Sequence, residues 1–180
     1  MNPVLRGVSK LAQFDSRDTR GQFWPYAGLV MAGVILSWMA VFVFEFSRLY
    51  SAIQQPAEAG QALPNFSLLL GSLGVLVAIA VVLLAAAVTR RLHDRGLPGW
   101  IALAPLPLLA FGLYGMWQIM SDFGTGDTMP DLFFPVFINN MAYNGILLAL
   151  VILLALPGQP TDNRYGPPAR LASPPPEPPR

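Results

Sequence analysis

The chain has 180 residues, of which 54% are hydrophobic and only 12% are charged. Soluble globular domains are roughly 25% charged, so this composition excludes an ordinary soluble fold. The chain has no cysteine, which excludes disulfides, thiolate nucleophiles and iron–sulfur clusters, and its single histidine, His93, cannot by itself form a multi-histidine metal site. We therefore expect neither a metal ion nor another cofactor.

Four long stretches contain no charged residue, and each is long enough to cross a bilayer once but too short to cross it twice. They cover residues 21–44, 59–89, 96–121 and 132–161. A bilayer core of about 30 Å requires roughly 20 apolar residues in a helix. The sequence therefore predicts an all-α integral membrane four-helix bundle, with spans near residues 25–46, 66–89, 100–120 and 132–156.

Small residues and prolines distinguish the second and third spans. The second span has two pairs of small residues four positions apart, which are Ser67 with Gly71 and Gly74 with Ala78. Such spacing favours close approach of helices, so we expect that face to pack against a neighbour. In the third span, Pro105 and Pro107 each lack a backbone donor, and we expect the helix to kink there.

The fourth span contains three asparagines, Asn139, Asn140 and Asn144. Asn140 and Asn144 lie one helical turn apart on the same face. Unsatisfied amides are costly in hydrocarbon, so we expect these side chains to point into the bundle. There they form interhelical hydrogen bonds or line a path for a solute.

Basic residues are concentrated on one side of the predicted membrane topology. Ten of the eleven lysines and arginines lie before the first span, between the second and third spans, or after the fourth. Lysine and arginine resist translocation, so we predict that both termini are cytoplasmic. Residues 1–24 then form a cytoplasmic segment with an amphipathic helical pattern, residues 25–156 form the transmembrane domain, and residues 157–180 form a cytoplasmic tail that is proline-rich and disordered from residue 167.

Three segments at the predicted cytoplasmic surface carry motifs. Residues 14–24 read FDSRDTRGQFW, residues 90–100 read RRLHDRGLPGW and residues 157–167 read PGQPTDNRYGP. Together they resemble the domain-of-unknown-function family numbered 805, which consists of small multi-pass bacterial inner-membrane proteins, and RRLHD is the most specific part. The chain departs from the family pattern where it has Ser16 for glycine, Pro98 for serine and Thr161 for glycine. The resemblance implies a bacterial inner-membrane location and no established biochemical activity.

The predicted topology brings these segments to one side of the membrane, where their polar residues can form one cluster. The candidate members are Arg17, Arg20, Arg90, Arg91, His93, Asp94, Arg95, Asn163, Arg164 and Tyr165. In one interpretation the arginines set the topology and pair with aspartates that clamp the helix ends together, although exposed pairs contribute only about 0 to 1 kcal/mol each. In the other, surplus arginines bind an anionic lipid headgroup or a phosphorylated ligand, because guanidinium groups match phosphate oxygens in pairs.

The sequence therefore favours a non-enzymatic membrane protein, a scaffold or an accessory subunit, whose cytoplasmic arginine-rich face contacts anionic lipid or a partner protein. That partner is another membrane protein or a second copy of the chain, and nothing in the sequence indicates nucleic-acid binding. The alternative is a small transporter or channel component with a polar path near Asn140 and Asn144. His93 and Asp94 suggest an acid–base pair, but adjacent helical residues point about 100° apart and no nucleophile accompanies them, so we predict no enzymatic activity.

Overall fold

The computed structural model describes residues 2–54, 66–121 and 129–168, and the regular structure within these ranges is helical. The described residues form five α-helices, which are α1 (Pro3–Ser9), α2 (Arg20–Gln54), α3 (Phe66–Asp94), α4 (Leu106–Ser121) and α5 (Met129–Ala155). A 3₁₀ helix, Gly99–Leu103, lies between α3 and α4. The tail predicted to be disordered lies outside the described residues from residue 169 onward.

Within the described ranges, four helical segments have the length and apolar composition needed to cross a membrane. They are Arg20–Arg48, Leu68–Asp94, Gly99–Ser121 and Asp131–Ala155. The predicted four-helix membrane bundle is thereby confirmed. Large apolar side chains stay exposed on its outer faces, as Leu36 (70%) and Val82 (71%) show. Lipid tails are as apolar as these side chains, so a membrane bundle need not bury them.

Helix α3 lies at the centre of the bundle because it contacts α2, α4 and α5. Helix α1 packs on α2, and α4 packs on α5. A cluster of buried apolar residues lies where α2 begins and where α3 and α5 end: Phe23, Tyr26, Ala27, Ala87, Leu92, Leu150 and Leu154. This well-packed end of the bundle is the end that carries the three sequence motifs.

Helix α2 begins at Arg20, before the predicted start at Pro25. The Thr19 carbonyl accepts a hydrogen bond from the Gln22 backbone N–H at 3.1 Å, and the Gln22 side chain accepts one from the Thr19 N–H at 3.0 Å. These bonds satisfy donors at the first turn. Pro25 therefore lies inside the helix, where its missing N–H affects only the carbonyl of Gly21, an exposed residue near the helix start.

Helix α3 continues to Asp94, beyond the predicted end of the second span. It ends in a Schellman turn, in which the Gly96 N–H donates to the His93 carbonyl at 2.9 Å and the Leu97 N–H donates to the Leu92 carbonyl at 3.0 Å. Gly96 has a φ of 73°, a left-handed conformation that favours glycine. The RRLHDRG motif therefore encodes a helix C-terminus.

The third span differs from the predicted kinked helix. Residues Gly99–Leu103 form the 3₁₀ helix, and α4 begins only at Leu106. Pro105 therefore lies between the two helices, and Pro107 lies in the first turn of α4, where no intrahelical donor is required. The prolines separate two helical segments and do not kink a single one.

The predicted packing of the small-residue face of α3 is wrong within this chain. Apart from its own helix backbone, a Cβ added at Gly71 or Gly74 would meet none of the described residues within 4 Å, and Gly71 and Ala78 are exposed. The buried alanines of α3 are instead found from its middle to its C-terminal part, at Ala80, Ala86 and Ala87. The small-residue face near the start of α3 is therefore not a site of close helix packing among the described residues, whereas α4 and α5 approach closely at Gly115 and Val136.

Candidate functional site

The three motif segments meet at one end of the bundle. The Asp18 backbone N–H donates to the Arg90 carbonyl at 3.3 Å, and the Gln159 N–H donates to the Asp94 carbonyl at 2.8 Å. Five charged side chains lie buried between the segments, and we call them the arginine cluster: Arg17, Asp18, Arg90, Arg91 and Asp94. Charged side chains are rarely buried this completely unless they are paired.

Asp94 forms ion pairs with two buried arginines. Its Oδ1 accepts a hydrogen bond from Arg17 Nε at 3.1 Å, and its Oδ2 accepts one from Arg91 Nη1. The side chains of Asp94, Arg17 and Arg91 are 7%, 1% and 0% exposed. Because these pairs are buried, the small contribution of exposed pairs does not apply to them, and removing one partner of a buried pair typically costs about 3–5 kcal/mol.

Asp18 forms two further bridges. Its Oδ2 accepts a hydrogen bond from Arg90 Nε at 2.5 Å, and its Oδ1 accepts one from Arg6 Nη2 at 3.2 Å. Arg6 lies on α1 and Arg90 on α3. Asp18 therefore fastens both helices to the start of α2.

Arg17 uses all five of its N–H groups inside the protein. Besides the bond from Nε to Asp94, Nη1 donates to the carbonyls of Thr161 and Gly166 at 2.9 and 3.0 Å. Nη2 donates to the carbonyls of Asp94 and Gln159 at 3.4 and 2.5 Å. Arg17 thus holds the tail segment 159–166 through main-chain oxygens and has no N–H left for a ligand.

Arg91 binds carbonyl groups at the end of α5. Its Nε donates to the Leu154 carbonyl at 2.9 Å, its Nη2 donates to the Leu156 carbonyl, and its Nη1 also donates to the Asp18 carbonyl at 3.3 Å. The last carbonyls of a helix lack intrahelical donors, and a cation is favourable beside them. Arg91 therefore joins the C-terminal ends of α3 and α5.

Arg90 fastens the segment that follows α1. Its Nη1 donates to the carbonyls of Lys10 and Gln13 at 2.7 and 2.6 Å. Burial and the neighbouring charge of Arg6 lower the pKa of Lys10 below its ordinary value. Three arginines and two aspartates of the cluster are buried, and the carbonyl dipoles offset part of this excess of positive charge.

The other predicted arginines lie around the cluster. Arg20 is exposed at the start of α2. Arg95 donates through Nη1 to the Pro157 carbonyl at 2.6 Å, and Arg164 lies over the Tyr165 ring, 4.7 Å from its centroid. Of these three arginines, Arg20 and Arg164 are exposed and Arg95 is half-buried.

His93 is buried and contacts the tail. Its ring stacks on Tyr165 with centroids 3.7 Å apart and planes inclined by 7°, and its carbonyl accepts a hydrogen bond from Asn163 Nδ2 at 3.0 Å. The oxygens of Asp94 bind Arg17 and Arg91, and His93 Nδ1 has no hydrogen-bond partner among the described residues. The arrangement is that of a residue that holds the tail, not of an acid–base pair with Asp94.

A cavity of about 230 Å³ opens beside the arginine cluster. Its lining residues are Thr19, Arg20, Arg91, Asp94, Pro157, Gly158 and Gln159. Gly158 lies so close to Asp94 that a Cβ at this position would overlap the carboxylate. The hydroxyl oxygen of Thr19 is buried and has no hydrogen-bond partner in the part of the chain that the structure describes.

The three intramembrane asparagines have different surroundings. Asn139 is buried, and its Nδ2 donates to the Leu108 carbonyl on α4 at 2.8 Å. Asn140 and Asn144 donate to carbonyls of their own helix, those of Val136 and Asn140, at 3.2 and 2.8 Å. Asn144 is exposed, so the prediction that all three point into the bundle is wrong for this residue. The preceding turn of α5 satisfies its amide without a second helix.

Comparison with known families agrees with the motifs. The family model described as protein of unknown function (DUF805) matches residues 11–167. The chain belongs to this family. No curated protein and no solved structure matches the chain. Because the DUF805 match includes residues 157–167, the docked tail segment is part of the family domain and not an appendage to it.

The sequence motifs of this DUF805 protein identified the arginines but not most of the groups that they bind. Arg6 was not among the predicted site residues, and the acceptors in the tail are main-chain carbonyls, which leave no trace in a sequence. Gly158 did leave one, because a glycine that follows a helix often marks close backbone approach. In the structure, the main chain at Gly158 lies against the Asp94 carboxylate, which leaves no room for a Cβ.

Proposed function

We propose that this DUF805 protein is a non-enzymatic scaffold or accessory subunit of the bacterial inner membrane, whose arginine-rich end faces the cytoplasm and contacts anionic lipid or a partner protein. The main support for this proposal is that the side chains of the arginine cluster bind groups inside the protein. Arg17 and Arg91 donate to Asp94 and to main-chain carbonyls, so their charges hold three segments of the chain in fixed positions. A rigid end with exposed cations at its edge suits a contact surface.

The proposed orientation follows from the basic residues that lie at this end, since lysine and arginine resist translocation. The natural chain has no cysteine, so a single introduced thiol is labelled without interference. Ser9 is exposed on α1 at the arginine-rich end, and Gln54 is exposed at the other end of α2. In intact cells, a membrane-impermeant maleimide should label Gln54→Cys and should reach Ser9→Cys only after the cells are lysed. Labelling of Ser9→Cys in intact cells would contradict the orientation.

The proposed contact is tested by purifying the full chain in mild detergent and identifying the lipids and proteins that accompany it. Arg20 and Arg164 are exposed, so the double variant Arg20→Glu/Arg164→Glu reverses two charges without breaking the buried pairs. We expect it to lose anionic lipid or a partner protein that accompanies the natural chain. Asp162→Asn, which alters an exposed carboxylate at the same end, is the control. Unchanged recovery from the double variant would overturn the proposal.

A transporter or channel role, the alternative, has less support from the contacts. Asn139 donates to the Leu108 carbonyl and Asn140 to the Val136 carbonyl, so both amides satisfy helix backbone. Asn144 is exposed on α5, and only an additional chain would enclose a path beside it. The scaffold role requires no such chain.

A further inference from the structure

We propose that the cavity beside the arginine cluster binds a phosphate group. Two arginines, Arg20 and Arg91, and one carboxylate, Asp94, are among its lining residues, and its volume is about 230 Å³. The inference rests on the proposed function in treating this end of the protein as a contact surface, and it adds a defined site and a ligand chemistry.

Some hydrogen-bond donors of the residues that line the cavity have no acceptor among the described residues. Arg91 makes four internal bonds, through Nε, Nη1 and Nη2, so one of its five N–H groups has no acceptor among the described residues. The buried Thr19 hydroxyl has no partner among the described residues, and the guanidinium of Arg20 is exposed. Residues from the start of α2 and from the end of α3 therefore line the same space, and one of them, Arg20, is an exposed cation.

The charges at the cavity favour an anion. Asp94 lines the cavity, but its two oxygens bind Arg17 and Arg91, so its negative charge is already offset. Arg20 and Arg95 lie close enough to Arg91 for like-charge repulsion. The positive end of the α2 dipole lies here as well, because α2 begins at Arg20. A bound oxyanion relieves this excess of positive charge.

The position of the cavity along the membrane normal suits the phosphate of a lipid. Trp24 and Trp100, which are 39% and 68% exposed, lie at the same end of the bundle. Exposed tryptophans are enriched at the headgroup level of a membrane, so the cavity lies near the phosphates of the lipids. Guanidinium groups match phosphate oxygens in pairs. A free phosphate ion offers similar oxygens, and the two sources are separated by experiment.

The experiment measures lipid retention by the full chain in mild detergent, using native mass spectrometry. Phosphatidylglycerol and the phosphate-free lipid diacylglycerol are offered separately, with inorganic phosphate as a competitor. We expect phosphatidylglycerol to be retained, diacylglycerol to be lost and phosphate to compete with the bound lipid. Binding of phosphate without retention of phosphatidylglycerol would support the phosphate site and assign it to a soluble ligand. Binding of neither would overturn the inference.

Matched variants separate the cavity from general surface charge. Arg20→Gln removes a lining cation, and Thr19→Val removes the unpartnered hydroxyl with little change in shape. We expect Arg20→Gln to weaken retention by at least about tenfold, as loss of charge-assisted hydrogen bonds predicts, and Thr19→Val to weaken it by less. Arg164→Gln removes an exposed cation at the same end that is not among the lining residues, and it should retain the lipid.

Equal retention by natural chain and Arg20→Gln, or equal loss by Arg20→Gln and Arg164→Gln, would overturn the site. The melting temperature of each variant in detergent shows whether it is folded, and Thr19→Val provides a second test if Arg20→Gln is not. The two proposals fail separately. If neither phosphate nor phosphatidylglycerol binds, the cavity inference is wrong, and the scaffold role is still tested by the partner proteins that accompany the natural chain. If phosphate binds but no partner protein or anionic lipid accompanies the natural chain, the scaffold role alone is contradicted.

Discussion

Replacing Asp94 by asparagine removes one negative charge from the arginine cluster and keeps the size of the side chain. The variant leaves Arg17 and Arg91, whose side chains are 1% and 0% exposed, without their carboxylate. The amide oxygen can take the position of only one of the two carboxylate oxygens, and its NH₂ group then faces the donors of the other arginine. Asp94→Asn therefore replaces two ion pairs by one hydrogen bond and one contact between donors.

The cost follows from the burial of both arginines. Breaking one buried ion pair by removing a partner costs about 3–5 kcal/mol, and because Asp94 serves two arginines we expect a loss of about 5 kcal/mol. Folded proteins have total stabilities of about 5–15 kcal/mol, so Asp94→Asn should be only marginally folded. The double variant Arg17→Gln/Asp94→Asn should lose less than the sum of the two single changes, because both remove the same pair.

The free energy of unfolding is measured by titrating the protein with SDS in mixed micelles and following the fluorescence of its four tryptophans. Asp162→Asn is the control, since Asp162 is an exposed carboxylate at the same end of the bundle and its change should stay within about 0.5 kcal/mol. If Asp94→Asn costs no more than Asp162→Asn, the buried pairs do not stabilise the fold and the clamping role of the cluster is refuted.

Two further predictions use the same titration. Gly158→Ala places a methyl group against the Asp94 carboxylate and should cost about 1–3 kcal/mol. Gly145→Ala is the control, because a Cβ there meets none of the described residues within 4 Å beyond its own helix, and it should cost nothing or stabilise by up to about 1 kcal/mol. Equal effects of the two variants would contradict the close approach of Gly158 to Asp94. Asn139→Leu removes a hydrogen bond between α5 and α4 and should lower the free energy of unfolding by about 1 kcal/mol. Asn144→Leu should change it by less than about 0.5 kcal/mol. The reverse order would show that the face of α5 that packs on α4 is misassigned.

The number of spans was predictable because bilayer thickness fixes the length of an apolar helix. The ends of the helices were not predictable in this way, because a count of apolar residues stops at the first charged residue. Helix α3 continues through Arg90, Arg91 and Asp94, whose charges are enclosed by protein and not exposed to lipid. Similarly, α2 includes Arg20, which lies before its apolar stretch.

The sequence predicted which residues share an end of the bundle but not which of them pair. Arg17 and Asp94 are 77 positions apart, and the same segments also contain Asp15 and Asp162 as carboxylates of equal charge. Only the packed structure selects Asp94 as the partner. Helical periodicity likewise places Asn140 and Asn144 on one face, but it does not show that the neighbouring helix lies on the side of Asn139.

Arg17 holds the tail segment through the carbonyls of Gln159, Thr161 and Gly166. Every amino acid supplies the same carbonyl, so the anchorage depends on the course of the main chain and is indifferent to the side chain at residue 161. Threonine can therefore stand there where the family pattern has glycine. A substitution at such a position leaves the acceptor in place as long as the main chain keeps its route, so the docking of residues 159–166 tolerates a change of side chain at residue 161.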